Sequence, residues 1–149
     1  MPCFNEILDK YKGDDNDIIY FYVTSVDSDT LEPANRHKYI IDCLNEIQRT
    51  NDWNLACILH SPWGKFIKRK IIETNNIFFR EILLANDVYF GVKAMTKATL
   101  KSISEKEIYC ITTRADSLTK QHSVKALKIR FNEIYQSIIY LKKKEENLT

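Results

Sequence analysis

The sequence predicts an α/β domain, a mainly parallel sheet of about four strands covered by helices and followed by a long C-terminal helix. Three observations predict it. Short apolar or β-branched runs alternate with segments of helical periodicity. Only three glycines and three prolines occur in 149 residues, too few for a turn-rich all-β fold. Hydrophobic residues make up 44% and charged residues 28%, which suits a real core in a single domain over 1–149.

Residues 4–12 place Phe4, Ile7, Leu8 and Tyr11 at helical spacing, closed by Gly13. The acidic stretch Asp14 to Asp17 reads as a loop. Ile18-Ile19-Tyr20-Phe21-Tyr22-Val23 has no polar alternation and predicts a strand buried on both faces. A polar loop leads to a helix over about 36–49, with Ile40, Ile41, Leu44 and Ile47 on its apolar side. Leu55 to Leu59 predicts a second strand. Ser61-Pro62 suits a helix start, and Ile67, Ile71, Phe78 and Ile82 extend that expected helix. Residues 88–92 predict strand three, 97–104 a short helix and 108–112 strand four. From about 123 to 144, Val124, Leu127, Phe131, Ile134, Ile138 and Leu141 step by alternating threes and fours, a heptad seam. Ile129, Tyr135 and Ile139 widen its apolar surface; either the helix is buried against the sheet, or it also docks on a protein partner or on a second copy.

No apolar run approaches the roughly 20 residues that a bilayer span needs. The first residues carry an acid and no apolar stretch of the kind a signal peptide uses. A cytoplasmic protein without membrane contact is the expectation. Cys3, Cys43, Cys57 and Cys110 show no CxxC spacing, and His37, His60 and His122 lie far apart. Neither a metal site nor a cofactor is expected, and the cysteines read as free thiols, three of them within apolar patterns. Net charge is +2 but uneven: residues 1–52 hold 5 basic and 11 acidic groups, and the remainder is correspondingly basic. The plain account is that the two halves fold together; a basic face for an anionic partner is the alternative.

Two short motifs bear on chemistry. The first is Leu59-His60-Ser61-Pro62-Trp63-Gly64; the second is Ala94-Met95-Thr96-Lys97-Ala98-Thr99-Leu100, followed by Lys106-Glu107-Ile108. Together, from Asp52 to Cys110, this frame resembles the Clp/crotonase superfamily, in particular its signal-peptide-peptidase and serine-dehydrogenase-proteinase branch. That resemblance implies an oxyanion-binding turn at Trp63 and Gly64, a nucleophile at Thr96, a base near His122 and an oligomer. The pattern is degraded. Trp63 stands where a glycine would leave backbone N–H groups open to an oxyanion, Lys97 follows the nucleophile position, and no Asp follows Asp116. The implied function is a non-catalytic interaction or assembly module, a pseudoenzyme. A hydrolase using Thr96 with His122 or a lysine is the alternative.

Lys65, Lys68, Arg69 and Lys70 beside Trp63 suggest a further alternative, a nucleic-acid surface combining phosphate pairing with base stacking. A solvated helix face is the favoured account of them. Gly64-Lys65 lacks the upstream glycine and following Ser or Thr of a phosphate loop. Asp27, Asp29 and Glu32 follow the first strand, where carboxylates can bind Mg²⁺. With no second ligand set, they read as solvated loop acids.

Overall fold

The computed structural model describes residues 4–114, 117 and 123–146. His122 and Cys3 lie outside the described residues. The elements are α1 (Phe4–Tyr11), β1 (Ile18–Asp27), α2 (Lys38–Thr50), a 3₁₀ segment (Trp53–Ile58), β2 (Lys65–Ile67), α3 (Arg69–Thr74), α4 (Asn86–Lys97), β3 (Lys101–Thr113) and α5 (Val124–Glu146).

The class is α/β, as the alternation predicts, but the sheet is smaller and mixed. Among the described residues it has three strands in the order β2-β1-β3. β3 runs parallel to β1, and the short β2 antiparallel to it. β1 is therefore central, which explains the unbroken apolar run from Ile18 to Val23. Ile18, Tyr20 and Val23 enter the main core, while Ile19 and Phe21 face a second cluster under α1. There Tyr11 meets Phe21 edge-on at 5.3 Å, and Phe21 meets Phe66 at 4.8 Å. On the main side β1 is covered by Ile40, Leu44 and Ile47 of α2, Ala56 of the 3₁₀ segment, and Phe90, Ala94 and Met95 of α4. The Asp17 carboxylate ties the start of β1 to β3 by accepting the Thr99 and Leu100 N–H groups at 2.7 and 3.1 Å.

Four expected elements are corrected. Residues 55–59 form no strand: Asp52 accepts the Asn54 N–H at 3.0 Å and starts a 3₁₀ turn. The run 88–92 lies inside α4, whose Val88, Phe90, Val92, Ala94 and Met95 are all buried. A helix apolar on most sides imitates a buried strand. The expected helix from Ser61-Pro62 past Ile82 is interrupted. Gly64, at φ +70°, turns the chain into β2, and Asn76, at φ 49°, follows the short α3. Finally, 97–104 is no helix, because Lys101 to Ser104 pair with Ile18 to Phe21 and open β3. The expectations at 4–12, 18–23, 36–49 and 123–144 hold as helix, strand, helix and helix.

α5 packs on α4 along one face only. Ala126, Glu133 and Ser137 are its buried residues. Tyr140 meets Tyr89 edge-on at 5.7 Å, and Arg80 pairs with Glu133 at 3.2 Å. No helix among the described residues is long and apolar enough to cross a membrane.

Candidate functional site

The carboxyl ends of β1 and β3 lie side by side. The Thr113 hydroxyl donates to the Val26 carbonyl at 3.2 Å, and the Ser28 N–H donates to the Thr113 carbonyl at 2.8 Å. β1 then turns sharply. Asp27 Oδ1 accepts the Asp29 N–H at 2.9 Å and the Thr30 N–H at 3.1 Å, a short-range aspartate turn. Leu31 sits in the left-handed region at φ 60°, and the chain returns so that the Ala34 N–H donates to the Ser25 carbonyl at 2.8 Å. Ser25 and His37 Nδ1 are hydrogen-bonded at 2.8 Å, fixing the start of α2 behind the strand. The result is an acidic turn, Asp27-Ser28-Asp29, at the open end of two parallel strands, with the Asp29 side chain at the surface. Ligands of open α/β sheets sit at such ends.

One cleft adjoins the end of β3, and a second lies on the other side of Arg36 and Trp63. The first, of about 360 Å³, is lined by residues that include Asn35, Arg36, Trp63, Tyr109 and Thr113. The other, of about 430 Å³, includes Arg36, Tyr39, His60, Trp63 and Asp87. Arg36 and Trp63 line both clefts. Trp63 is held flat by Tyr109, with ring centroids 5.5 Å apart and planes 13° off parallel. Burial raises the Tyr39 hydroxyl pKa; the Arg36 cation opposes the rise and the Asp87 carboxylate adds to it. Arg36, Tyr39 and Asp87 thus form one electrostatic neighbourhood.

The turn below Trp63 is built tightly. A Cβ on Gly64 would lie 2.7 Å from Val23 Cγ1, and the Gly64 carbonyl accepts the Phe21 N–H at 2.9 Å. Lys65 turns its ammonium inward, donating to the Leu59 carbonyl and to the Ser61 carbonyl at 2.6 Å. Burial lowers its pKa to about 7, against the pull of Asp87 and Cys43. Gly91 of α4 lies so close beneath that an added Cβ would be 2.1 Å from the His60 carbonyl oxygen.

Several expected site residues are not brought together. Thr96 is in α4 and lines a different cleft, with Trp53, Cys57 and Lys101, away from Trp63 and Gly64. Its hydroxyl donates to the Lys93 carbonyl at 3.0 Å and is within hydrogen-bond distance of the Tyr140 hydroxyl at 3.3 Å, and its carbonyl accepts from Lys144. The basic cluster is divided as well. Lys65 points inward, Lys68 donates to the Asp15 carbonyl at 3.1 Å, and Arg69 pairs with Glu73 at 2.6 Å, leaving Lys70 exposed on α3. On α5, Val124, Leu127, Phe131, Ile134 and Ile138 are exposed while Leu141 is partly buried. Among the described residues no group of three or more His, Cys, Asp or Glu side chains is placed to hold a metal ion.

No family model matches the sequence, and no curated protein matches it. Among solved structures the chain is similar to the crystal structure of S. aureus TarS 1-349 in complex with UDP-GlcNAc, with a TM-score of 0.50 and 19% identity. The match covers 87% of this chain and 37% of that one, so the chain spans little more than a third of its neighbour's length. This is a likeness of fold. It overturns the Clp/crotonase resemblance: both of its motifs fall on differently shaped backbone, a turn into β2 and the end of a helix.

The sequence singled out Asp27, Asp29, Trp63 and Gly64, the last two for a different chemistry. It missed Arg36, Tyr109 and Asp87. Asp87 is legible only as an acid in the first turn of a helix beginning at Asn86. Reading 88–92 as a strand hides that signal.

Proposed function

We propose that this chain supplies part of a sugar-nucleotide site, and that the protein transfers a sugar from a nucleotide diphosphate to an acceptor hydroxyl. The observation that carries this reading is the Asp27-Ser28-Asp29 turn. It stands at the carboxyl end of the central strand, in a fold similar to that of a protein holding UDP-GlcNAc.

The donor set fits a hard divalent cation. One or two carboxylates suffice for Mg²⁺ when substrate phosphates supply further oxygens. Asp27 Oδ1 is engaged by the turn, so the exposed Asp29 carboxylate is the principal ligand in this reading. The bound cation would neutralise charge building on the departing diphosphate. Arg36, at the junction of the clefts, would add a fixed positive charge beside it. Asp87, a carboxylate in the cleft below Trp63, is the group suited to take a proton from the acceptor hydroxyl. The Trp63–Tyr109 stack offers a flat apolar wall against which a sugar or base would lie.

Calorimetric titration of the full-length protein with UDP-GlcNAc tests the reading. Binding should require Mg²⁺ or Mn²⁺, disappear with a chelator, and weaken at least about tenfold in Asp29→Asn, the loss of one charge-assisted contact. Affinity that ignores both the metal and Asp29 sinks it.

A further inference from the structure

The face that α5 turns away from α4 is apolar, and the exposed side of that helix carries no acid before its last turn. Val124, Leu127, Phe131, Ile134, Tyr135 and Ile138 are 46–73% exposed. At 3.6 residues per turn they fall within an arc of about 100°. Lys128 and Arg130 stand at its two margins, with Lys125, Lys142 and Lys143 on the same helix. From Val124 to Lys144 the single acid is Glu133, which points the other way, buried and paired with Arg80 at 3.2 Å. Leu83, 69% exposed, lines a cleft with Arg130 and Ile134 and carries the apolar surface onto a second element.

We propose that this face docks on the surface of an anionic lipid bilayer, with α5 lying in the headgroup plane. Charge complementarity selects the occupant. An antiparallel second copy would set Lys128 against Lys142 along the seam, and a parallel one would leave the flanking cations without acids opposite them. A single partner helix would cover a narrow stripe, whereas this patch spans α5 and the segment at Leu83. Phe131 and Tyr135 among the aliphatic residues, with lysine stems able to reach outward at the edges, match the interfacial helix pattern. The Leu83 end of this face borders the cleft used in the sugar-nucleotide reading, but the proposal does not rest on that reading, because vesicle binding measures it without any nucleotide.

The test is co-sedimentation of the full-length protein with vesicles of phosphatidylcholine alone and of phosphatidylcholine mixed equally with phosphatidylglycerol. The protein should partition onto the mixed vesicles only, and less so at high salt. Phe131→Ser should weaken partitioning at least about tenfold through lost apolar burial. The combined Lys125→Glu, Lys128→Glu and Lys142→Glu change should weaken it at least about 100-fold. All four positions are exposed, so an unchanged melting curve shows that each variant keeps its fold; should one variant misfold, the other carries the test. Absence of binding to the mixed vesicles, or equal binding to both kinds, overturns the proposal. So does a dimer in solution that Phe131→Ser splits, which would assign the face to a second copy.

Discussion

Gly64→Ala isolates what the turn below Trp63 costs to build. Two terms add. Holding a residue with a Cβ at φ +70° costs about 1–2 kcal/mol. The new methyl would lie 2.7 Å from Val23 Cγ1, and valine is rotationally stiff, so relief requires β1 or the turn to move. Overpacking of that kind costs about 1–3 kcal/mol. The total is about 2–5 kcal/mol, a lowering of Tm on the order of 10 °C for a chain of this size. Gly13→Ala is the internal control: its φ is +86°, but nothing lies within 4 Å of the added Cβ, so only the backbone term remains. Urea unfolding followed by far-UV circular dichroism measures both. In a double-mutant cycle, Val23→Ala should recover at least about 1 kcal/mol of the Gly64→Ala loss. If Gly64→Ala costs no more than Gly13→Ala, or if Val23→Ala recovers nothing, the close packing of this turn on β1 is refuted.

Arg80→Ala leaves the buried Glu133 carboxylate without its cation and should cost about 2–4 kcal/mol, somewhat less than a fully buried pair because Arg80 is 34% exposed. The urea midpoint checks this, and Arg80→Ala combined with Glu133→Gln should be the more stable of the two variants. Lys65 gives a pH signature. Its folded pKa of about 7 lies below the ordinary value of 10.5, so between these values the unfolded chain binds more protons. Stability from this group therefore rises with pH through that window and is flat below it. Comparing urea midpoints at the two ends of the window should show the slope in the native protein and its loss in Lys65→Met.

The parts of the fold that were legible in the sequence are those with a single periodicity. α2 presents Ile40, Leu44 and Ile47 at helical spacing and stops at Asn51, whose left-handed conformation caps it. β1 is apolar from Ile18 to Val23 because it is paired on both edges and covered on both faces. Periodicity failed where burial was complete or segments were short. Leu55 to Leu59 and Val88 to Val92 carry the same apolar run whether helical or extended, and tertiary packing decided both. Residues 101–104 are mostly polar in sequence, yet pair with β1 because Asp17 pins the preceding amides. For the site, the acidic turn was visible as carboxylates after a strand. The cleft that brings Arg36, Trp63 and Asp87 together was not, because it depends on the antiparallel return of β2, and three residues give no pattern to read.

The parallel pairing of β1 with β3 has a kinetic consequence. Asp17 must find amides 82 and 83 positions further along the chain before the central strand gains its second neighbour. Closing so long a loop is entropically slow, and topologies dominated by distant pairing fold in milliseconds to seconds rather than microseconds. During synthesis, Ile18 to Val23 emerges well before Lys101, and in that interval its adhesive edge is open to whatever other strand it meets.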